Sequence, residues 1–376
     1  MKSIISFIKN EVVFSIACIL AVISAFFVAP SEKYIAYIDF RTLALLLALM
    51  LVVQGFKSCG IFDTLVRVLI KFASTKRQLA FILVLLCFFT SMLITNDVAL
   101  ITFVPFTILI LDLIKDSKYS IYIIVLETVA ANLGSMFTPI GNPQNLYLYS
   151  ISKMNILNFL TLMLPYTLLS LVLLIISIML IKPEPLDIDT SFCEASDTVK
   201  KSTKYILTLL IYVFLFILSI LTVLHIIDYK LMLAIVILGV LLLNPKLLIK
   251  ADYILLLTFI AFFIFIGNMK NIPAINNLLA SLVEGRECMV SIFASQIVSN
   301  VPCAMLLSGF TSKFDQLIIG TNLGGLGTLI ASMASLISYK FYTKMKTSNI
   351  KKYILAFTLI NIIFLIILSL FYILIN

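Results

Sequence analysis

The sequence predicts an all-α polytopic membrane protein of two inverted repeats, each with a re-entrant hairpin and an unwound transmembrane helix. Three observations predict it. The chain of 376 residues is 62% hydrophobic and 12% charged, with a mean hydropathy of +1.17, far above the roughly 45–50% apolar content of soluble domains. Apolar runs such as 12–29, 205–223 and 353–375 approach or exceed the roughly 18 residues that suggest a spanning helix. The third observation is a repetition, because polar, glycine-punctuated breaks occur at corresponding places in the two halves. Asn132, Leu133, Gly134, Thr138 and Ile140 recur at one constant offset as Asn322, Leu323, Gly324, Thr328 and Ile330, and such self-similarity marks a structural repeat.

Taken in order, the apolar runs and charge breaks predict spans at 11–29, 40–56, 119–150, 156–181, 204–226, 230–247, 252–267, 316–338 and 352–375. The stretches 78–114 and 287–312 break at the polar tips Thr95-Asn96-Asp97 and Ser299-Asn300-Val301-Pro302 and read as re-entrant hairpins. Non-helical backbone within hydrocarbon is tolerated only where it is buried in protein or lines a cavity, since each unsatisfied amide or carbonyl costs several kcal/mol. Between Gly60 and Lys76, Asp63, Arg67 and Lys71 follow a four-residue spacing with apolar residues between, the pattern of a helix lying on the membrane surface. Asn271 to Glu284 takes the corresponding place later in the chain. The spans 119–150 and 316–338 are expected to unwind, because Gly134, Gly141, Gly324, Gly325 and Gly327 permit non-helical backbone and Pro139 and Pro143 remove donors. The chain thus divides into an N-terminal half, 1–182, a linker, 183–203, and a C-terminal half, 204–376. Pro183, Pro185, Asp187, Asp189, Glu194 and Asp197 give the linker its polar character.

The net charge of +9 does not indicate a nucleic-acid partner, because the basic residues gather in alternate connections between spans. With the N-terminus in the cytoplasm, only Lys33, Arg41, Lys153, Lys230, Lys270, Arg286 and Lys313 fall outside, and every other lysine and arginine falls inside. That bias is the positive-inside rule of a multi-pass protein of the cell membrane, with lipid as its surroundings. It also makes the first hairpin open from the inside and the second from the outside, so the repeats are antiparallel. The six cysteines form no CxxC pair, which indicates neither a disulfide framework nor a zinc site. The basic start before the first apolar run is read as a retained span rather than a signal peptide.

Broken helices at corresponding positions of two repeats point to the binding site of a secondary transporter. Exposed amides at half-helix N-termini attract anions, and free carbonyls at C-termini coordinate cations. The candidate substrate- and ion-binding residues are Thr95, Asn96, Asp97, Asn132, Gly134, Ser135, Thr138, Gly141, Asn142 and Asn145 in the first half. Ser299, Asn300, Thr321, Asn322, Gly324 and Thr328 answer them in the second. Their neutral oxygens suit a hard cation, with a sodium ion expected at Thr95, Asn96, Ser299 and Asn300, and their amides suit a carboxylate or oxyanion. Ionisable residues at membrane depth are functional candidates by default. Asp97 and Glu127 are therefore the coupling candidates, for sodium or protons, and no other cofactor is expected. His225, the one histidine, stands beside Asp228 at the end of a span and reads as interfacial. The Asp112-x-x-x-Asp116 pair reads as interfacial charge, and no HExxH or Walker-type loop points to enzymatic chemistry.

At Thr95 to Ala99, Ala131 to Asn145, Ser299 to Pro302 and Gly320 to Thr328 the chain resembles an ion-transporter superfamily that includes citrate transporters, divalent-anion/sodium symporters, arsenite permeases and sodium/proton antiporters. It is most similar to the citrate-transporter-like, arsenite-permease-related anion permeases. The resemblance implies inverted repeats whose hairpins meet at a central site, a homodimer and an elevator-like movement. It implies a symporter or related secondary carrier of a small anion, a di- or tricarboxylate or an inorganic oxyanion, with sodium/proton antiport or arsenite efflux as the alternative. In the dicarboxylate symporters each tip bears Ser-Asn-Thr; here the triplets are Thr95-Asn96-Asp97 and Ser299-Asn300-Val301. A fixed charge at Asp97 repels a di- or tricarboxylate unless it is protonated or paired with a cation.

Overall fold

The computed structural model describes residues 11–113, 118–186, 203–345 and 348–376. The short helix ends and caps are written in the sequence. Helices α1 (Val12–Phe27) and α2 (Lys33–Tyr37) lead to α3 (Phe40–Ser58), where the Thr42 amide donates to the capping Asp39 carboxylate at 3.1 Å. Surface helix α4 (Ile61–Ile70) buries Phe62, Val66 and Ile70 on one four-residue stripe, the amphipathic pattern expected there. The first hairpin consists of α5 (Lys76–Ile94), started by a Thr75–Gln78 capping box, and α6 (Asn96–Leu113). The expected span 119–150 is two helices, α7 (Ser120–Ser135) and α8 (Pro143–Ser152), the second with Asn142 as its cap and proline at its first position. Helix α9 (Ile156–Met179) follows.

After the linker come α10 (Thr203–Val223), α11 (Tyr229–Leu243) and the single-turn α12 (Lys246–Lys250). The expected span 230–247 stops at Leu243 because Pro245 follows, and proline cannot continue a helix. Then α13 (Tyr253–Lys270), capped by Asp252, α14 (Pro273–Val283), and the hairpin α15 (Glu287–Val298) and α16 (Asn300–Leu307) repeat the earlier order. Helices α17 (Phe314–Leu323) and α18 (Met333–Tyr342) again split one expected span, and α19 (Ile350–Ile375) ends the chain. Among the described residues six helices, α3, α5, α9, α10, α13 and α19, are long and apolar enough to cross a membrane, and the protein is a multi-pass, nearly all-helical membrane protein. Large apolar side chains left exposed on α19, among them Leu355, Leu359, Ile363 and Leu370, suit contact with lipid.

The hydrogen bonds at the breaks recur with the elements. Thr95 and Ser299 end α5 and α15 with φ of 67° and 72°, a conformation costing a non-glycine residue roughly 1–3 kcal/mol. What holds them there is repeated too. The Asn96 amide donates to the Gly141 carbonyl at 3.0 Å, and the Asn300 amide to the Ala331 carbonyl at 2.9 Å. The Thr138 hydroxyl donates to the Met92 carbonyl, and the Thr328 hydroxyl to the Gln296 carbonyl at 3.2 Å.

Packing interleaves the two series: α1 lies against α13, while α11 lies against α3. Buried Asn268 of α13 seals the first contact by donating to Ser24 Oγ at 2.9 Å and Tyr34 Oη at 2.8 Å.

The chain after α9 is clamped to the start of the first hairpin. Glu184 accepts from Lys76 at 2.9 Å and Lys118 at 2.8 Å, and the Leu186 amide donates to the Ser74 carbonyl at 3.1 Å. Residues 187–202 of the expected linker, Lys2 and Lys9 of the N-terminus, and Asp116 lie outside the described residues. Lys118 and then Lys76 hold the Glu184 carboxyl down at about 2, below its ordinary 4.5. A carboxyl depressed in the folded chain supports the clamp above 4.5, and that support is lost as pH falls toward 2. The clamp should thus survive at pH 4. Limited proteolysis around residue 186 should proceed at similar rates at pH 4 and pH 7 in the native chain and faster in Glu184→Gln at both; equal rates in the two proteins contradict the clamp.

Candidate functional site

Eight helix ends converge where the two hairpins meet the two broken helices. A small cavity is lined by Asn96 and Asp97 of α6, Pro143 and Gln144 of α8, Asn300 and Val301 of α16, and Ser332 and Met333 at the start of α18, with Leu255 alongside. Each pair is a helix N-terminus. Each such end carries an effective charge of about +0.5 and several unsatisfied amides, so four of them around one space favour an anion. The C-terminal ends of α5, α7, α15 and α17 stop beside the same breaks, where free carbonyls favour a cation.

A network of asparagines joins these ends. Asn96 Nδ2 donates to Asn132 Oδ1 at 3.1 Å; Asn132 also accepts from Ser332 Oγ at 3.0 Å and donates to Ser335 Oγ at 3.3 Å. Asn142 Nδ2 donates to Asn322 Oδ1 at 3.0 Å and to Ser135 Oγ at 3.2 Å, and Asn322 Nδ2 donates to Asn145 Oδ1 at 2.6 Å. Asn145 Nδ2 turns to the Met136 and Thr138 carbonyls, each at 3.2 Å. These amides are buried, where an unmade hydrogen bond costs about 1–3 kcal/mol, so the network fixes the two broken helices against each other.

Asp97 faces two spaces. Besides the tip cavity it lines a second one, of about 110 Å³, together with Thr95, Gln54, Asn142, Lys250 and Asp252. Farther along α8, Tyr147 hydrogen-bonds Ser308 at 2.8 Å and packs edge-on to Phe259 at 6.4 Å, filling that side with aromatic rings.

Several sequence-derived candidates serve the backbone. Ser299 Oγ donates to the Ala331 carbonyl at 3.4 Å and Thr321 Oγ1 to the Leu317 carbonyl at 2.7 Å. Thr138 and Thr328 hold the hairpins as described, and Thr328 is exposed. Gly134 and Gly324 sit at helix crossings, and Gly141 lies against the Ser135 backbone, where a Cβ would come within 2.1 Å of the carbonyl oxygen. Of the four residues expected to hold sodium, Asn96 and Asn300 line the tip cavity and Thr95 the larger one.

Glu127 is elsewhere. It is fully buried, accepting from Thr107 Oγ1 at 2.6 Å and Cys87 Sγ at 3.9 Å, and its Oε2 has no partner among the described residues.

Sequence reasoning missed Gln144, Ser332, Ser335 and the Lys250–Asp252 edge. Gln144 is 1% exposed, with an Oε1 that has no partner among the described residues. Ser332 stands at the repeat offset from Asn142, and Asp252 caps α13 as Asp39 caps α3. Reading the repeat through to those positions would have found both. Among the described residues no group of three or more histidine, cysteine, aspartate or glutamate side chains is placed to hold a metal ion.

A family model described as citrate transporter matches residues 4–312. The chain is 32% identical over 310 residues to an uncharacterized transporter of Methanocaldococcus jannaschii, covering 81% of each chain. It is 30% identical over 338 residues to the inner membrane protein YbiR of Escherichia coli, covering 89% of this chain and 88% of the other. A silicon efflux transporter of Oryza sativa subsp. japonica is 34% identical over 140 residues, or 37% of this chain and 28% of that protein.

Proposed function

The chain belongs to the citrate transporter family and is a membrane transporter rather than an enzyme, and from this premise we propose that it is a secondary active carrier of a small anion, a di- or tricarboxylate or an inorganic oxyanion, coupled to sodium or protons. The observation that carries the reading is the cavity lined by four helix N-termini. An anion there meets converging amides without a single lysine or arginine in the lining, so it is held by dipoles that the protein can open toward either side.

Asp97 stands in that lining and is the coupling group of the proposal. A carboxylate among the N-termini competes with the substrate, and the conflict disappears when it carries a proton or a sodium ion, so ion and substrate each favour the other's binding. The halves 1–182 and 204–376, joined by the linker, work as inverted repeats in this proposal. The N-terminus is cytoplasmic, and alternating access moves the hairpins and broken helices past the remaining helices within a homodimer.

Cation exchange or anion efflux is the second reading. Asp97 in place of the tip threonine favours it, as does the partial likeness to a transporter named for silicon efflux.

Proteoliposomes holding the full chain test these readings, with labelled citrate, sulfate and arsenite supplied under imposed sodium or pH gradients. Concentrative uptake of one anion under one gradient is expected, with Asn300→Ala lowering it at least about tenfold, the equivalent of one charge-assisted hydrogen bond. Sodium flux with no anion movement selects the antiport reading, and anion flux indifferent to any gradient defeats the carrier.

A further inference from the structure

A second polar space lies away from the tips. It is an open vestibule of about 970 Å³ reached by three separate segments, the start of α3, the α8–α9 connection and the turn after α10. These bring Arg41, Lys153 and His225 to one lining, close enough that both cations act on the imidazole. Asp39 is the acid in the same lining, and its oxygens are already engaged by Thr42, at 3.1 Å from the amide and 2.5 Å from the hydroxyl. Among the described residues neither Arg41 nor Lys153 has a carboxylate partner. Arg41 donates to the Thr222 carbonyl at 2.7 Å, which caps α10, while its buried Nε has no acceptor among the described residues.

Like charges are not brought together without a reason. Capping explains one nitrogen of Arg41, and Asp39, the one acid in this lining, offsets only one of the two positive charges. We propose that this vestibule is an anion-collecting site for a small carboxylate or oxyanion, held by Arg41, Lys153 and His225 and distinct from the tip cavity. By the distribution of basic residues it faces the outside. Two of its three basic groups, Lys153 and His225, are exposed, so it works as a weak electrostatic trap that raises the local anion concentration and weakens with salt. Because Arg41 belongs to α3 and Lys153 to the end of α8, a bound anion also bridges two elements that alternating access would separate.

The site should respond to pH. Burial first, then Arg41 and Lys153, lower the His225 pKa from its ordinary 6.5, so the ring is neutral at pH 7 and gains charge below 6.5. Facing it are Arg41, Lys153, Asp39 and the Tyr149 ring, whose centroid is 6.1 Å away. A bound dianion favours the charged ring, so binding strengthens as pH falls.

The test places a thiol in the lining by Asn155→Cys in the full chain, with the reactivity of the six native cysteines subtracted from the parent protein. An anionic thiosulfonate should react faster than a neutral one. Its advantage should shrink about three- to fivefold in Lys153→Gln, the scale of one exposed ion pair. Sulfate, which keeps its charge across the range, should protect the thiol, more strongly at pH 5.5 than at pH 7, and His225→Asn should erase that gain. Nanodiscs separate the sources of the anion: protection by phosphatidylglycerol without sulfate assigns the site to lipid headgroups, and protection by sulfate in pure phosphatidylcholine assigns it to free anions. Equal rates for both reagents with no protection by either anion overturn the site, and loss of protection in Asn300→Ala would show that it merely reports the tip cavity.

Discussion

Asp97→Asn should abolish gradient-driven accumulation, by about 100-fold, while exchange of anion for anion across the membrane persists. The carboxyl lines both the tip cavity and the larger space beside it, and among the described residues it is the one acidic side chain in both linings, which is why the proposed carrier assigns it the coupling. Its counterpart in the second hairpin, Val301, carries no charge. Asparagine keeps the shape and the capability to accept a hydrogen bond but neither titrates nor attracts a cation as a carboxylate does. Coupling free energies of roughly 1–3 kcal/mol correspond to factors of about 5 to 150, and loss of the whole coupling term lies at the upper end. Counterflow of labelled substrate needs no gradient and should continue, and continue at sodium concentrations or pH values that silence the native chain. Undiminished accumulation in the variant would remove Asp97 from the coupling step and leave Glu127 to be examined in the same assay.

Gly134→Ala should cost about 3 kcal/mol or prevent folding. A Cβ at this position would stand 2.0 Å from the Phe88 carbonyl oxygen and 2.6 Å from Ser91 Oγ. Backbone cannot step aside as a flexible side chain can, so α5 and α7 must separate, and with them the tip and the break that α5 and α7 carry into the site. Gly285→Ala is the contrast. That residue has φ of 74° and nothing within 4 Å of the added carbon, leaving only the left-handed backbone cost of roughly 1–2 kcal/mol. Thermal unfolding followed by size-exclusion elution of the purified proteins should show a large loss for the first and a small one for the second; similar losses would mean that the α5–α7 crossing yields more than its geometry implies.

The parts of the fold legible in the sequence are those encoded locally. Glycine, proline and asparagine change backbone preferences wherever they stand, so the tips at Thr95 and Ser299 and the breaks around Gly141 and Gly325 are visible without coordinates. Proline at 245 marks the end of α11 in the same way. The site was legible only as a neighbourhood. Thr138 and Thr328 have the right chemistry for a ligand, but each spends its hydroxyl on a hairpin carbonyl, a choice settled by which strand of backbone lies opposite. Gln144, Ser332 and Asp252 join the lining because segments far apart in the chain converge, and single-residue chemistry carries no trace of that. Glu127 shows the reverse case: burial alone made it a candidate, and its partners Thr107 and Cys87 lie away from the tip cavity.

The pairing of α1 with α13 and of α11 with α3 bears on how the protein is made. Translation delivers α1 well before the helix it rests on, with Asn268 waiting for Ser24 and Tyr34. Until then buried Ser24 of α1 lacks the partner that Asn268 supplies. A polypeptide stopped midway would therefore hold two unmatched faces, one on α1 and one on α3, and completing either requires the rest of the message to be read.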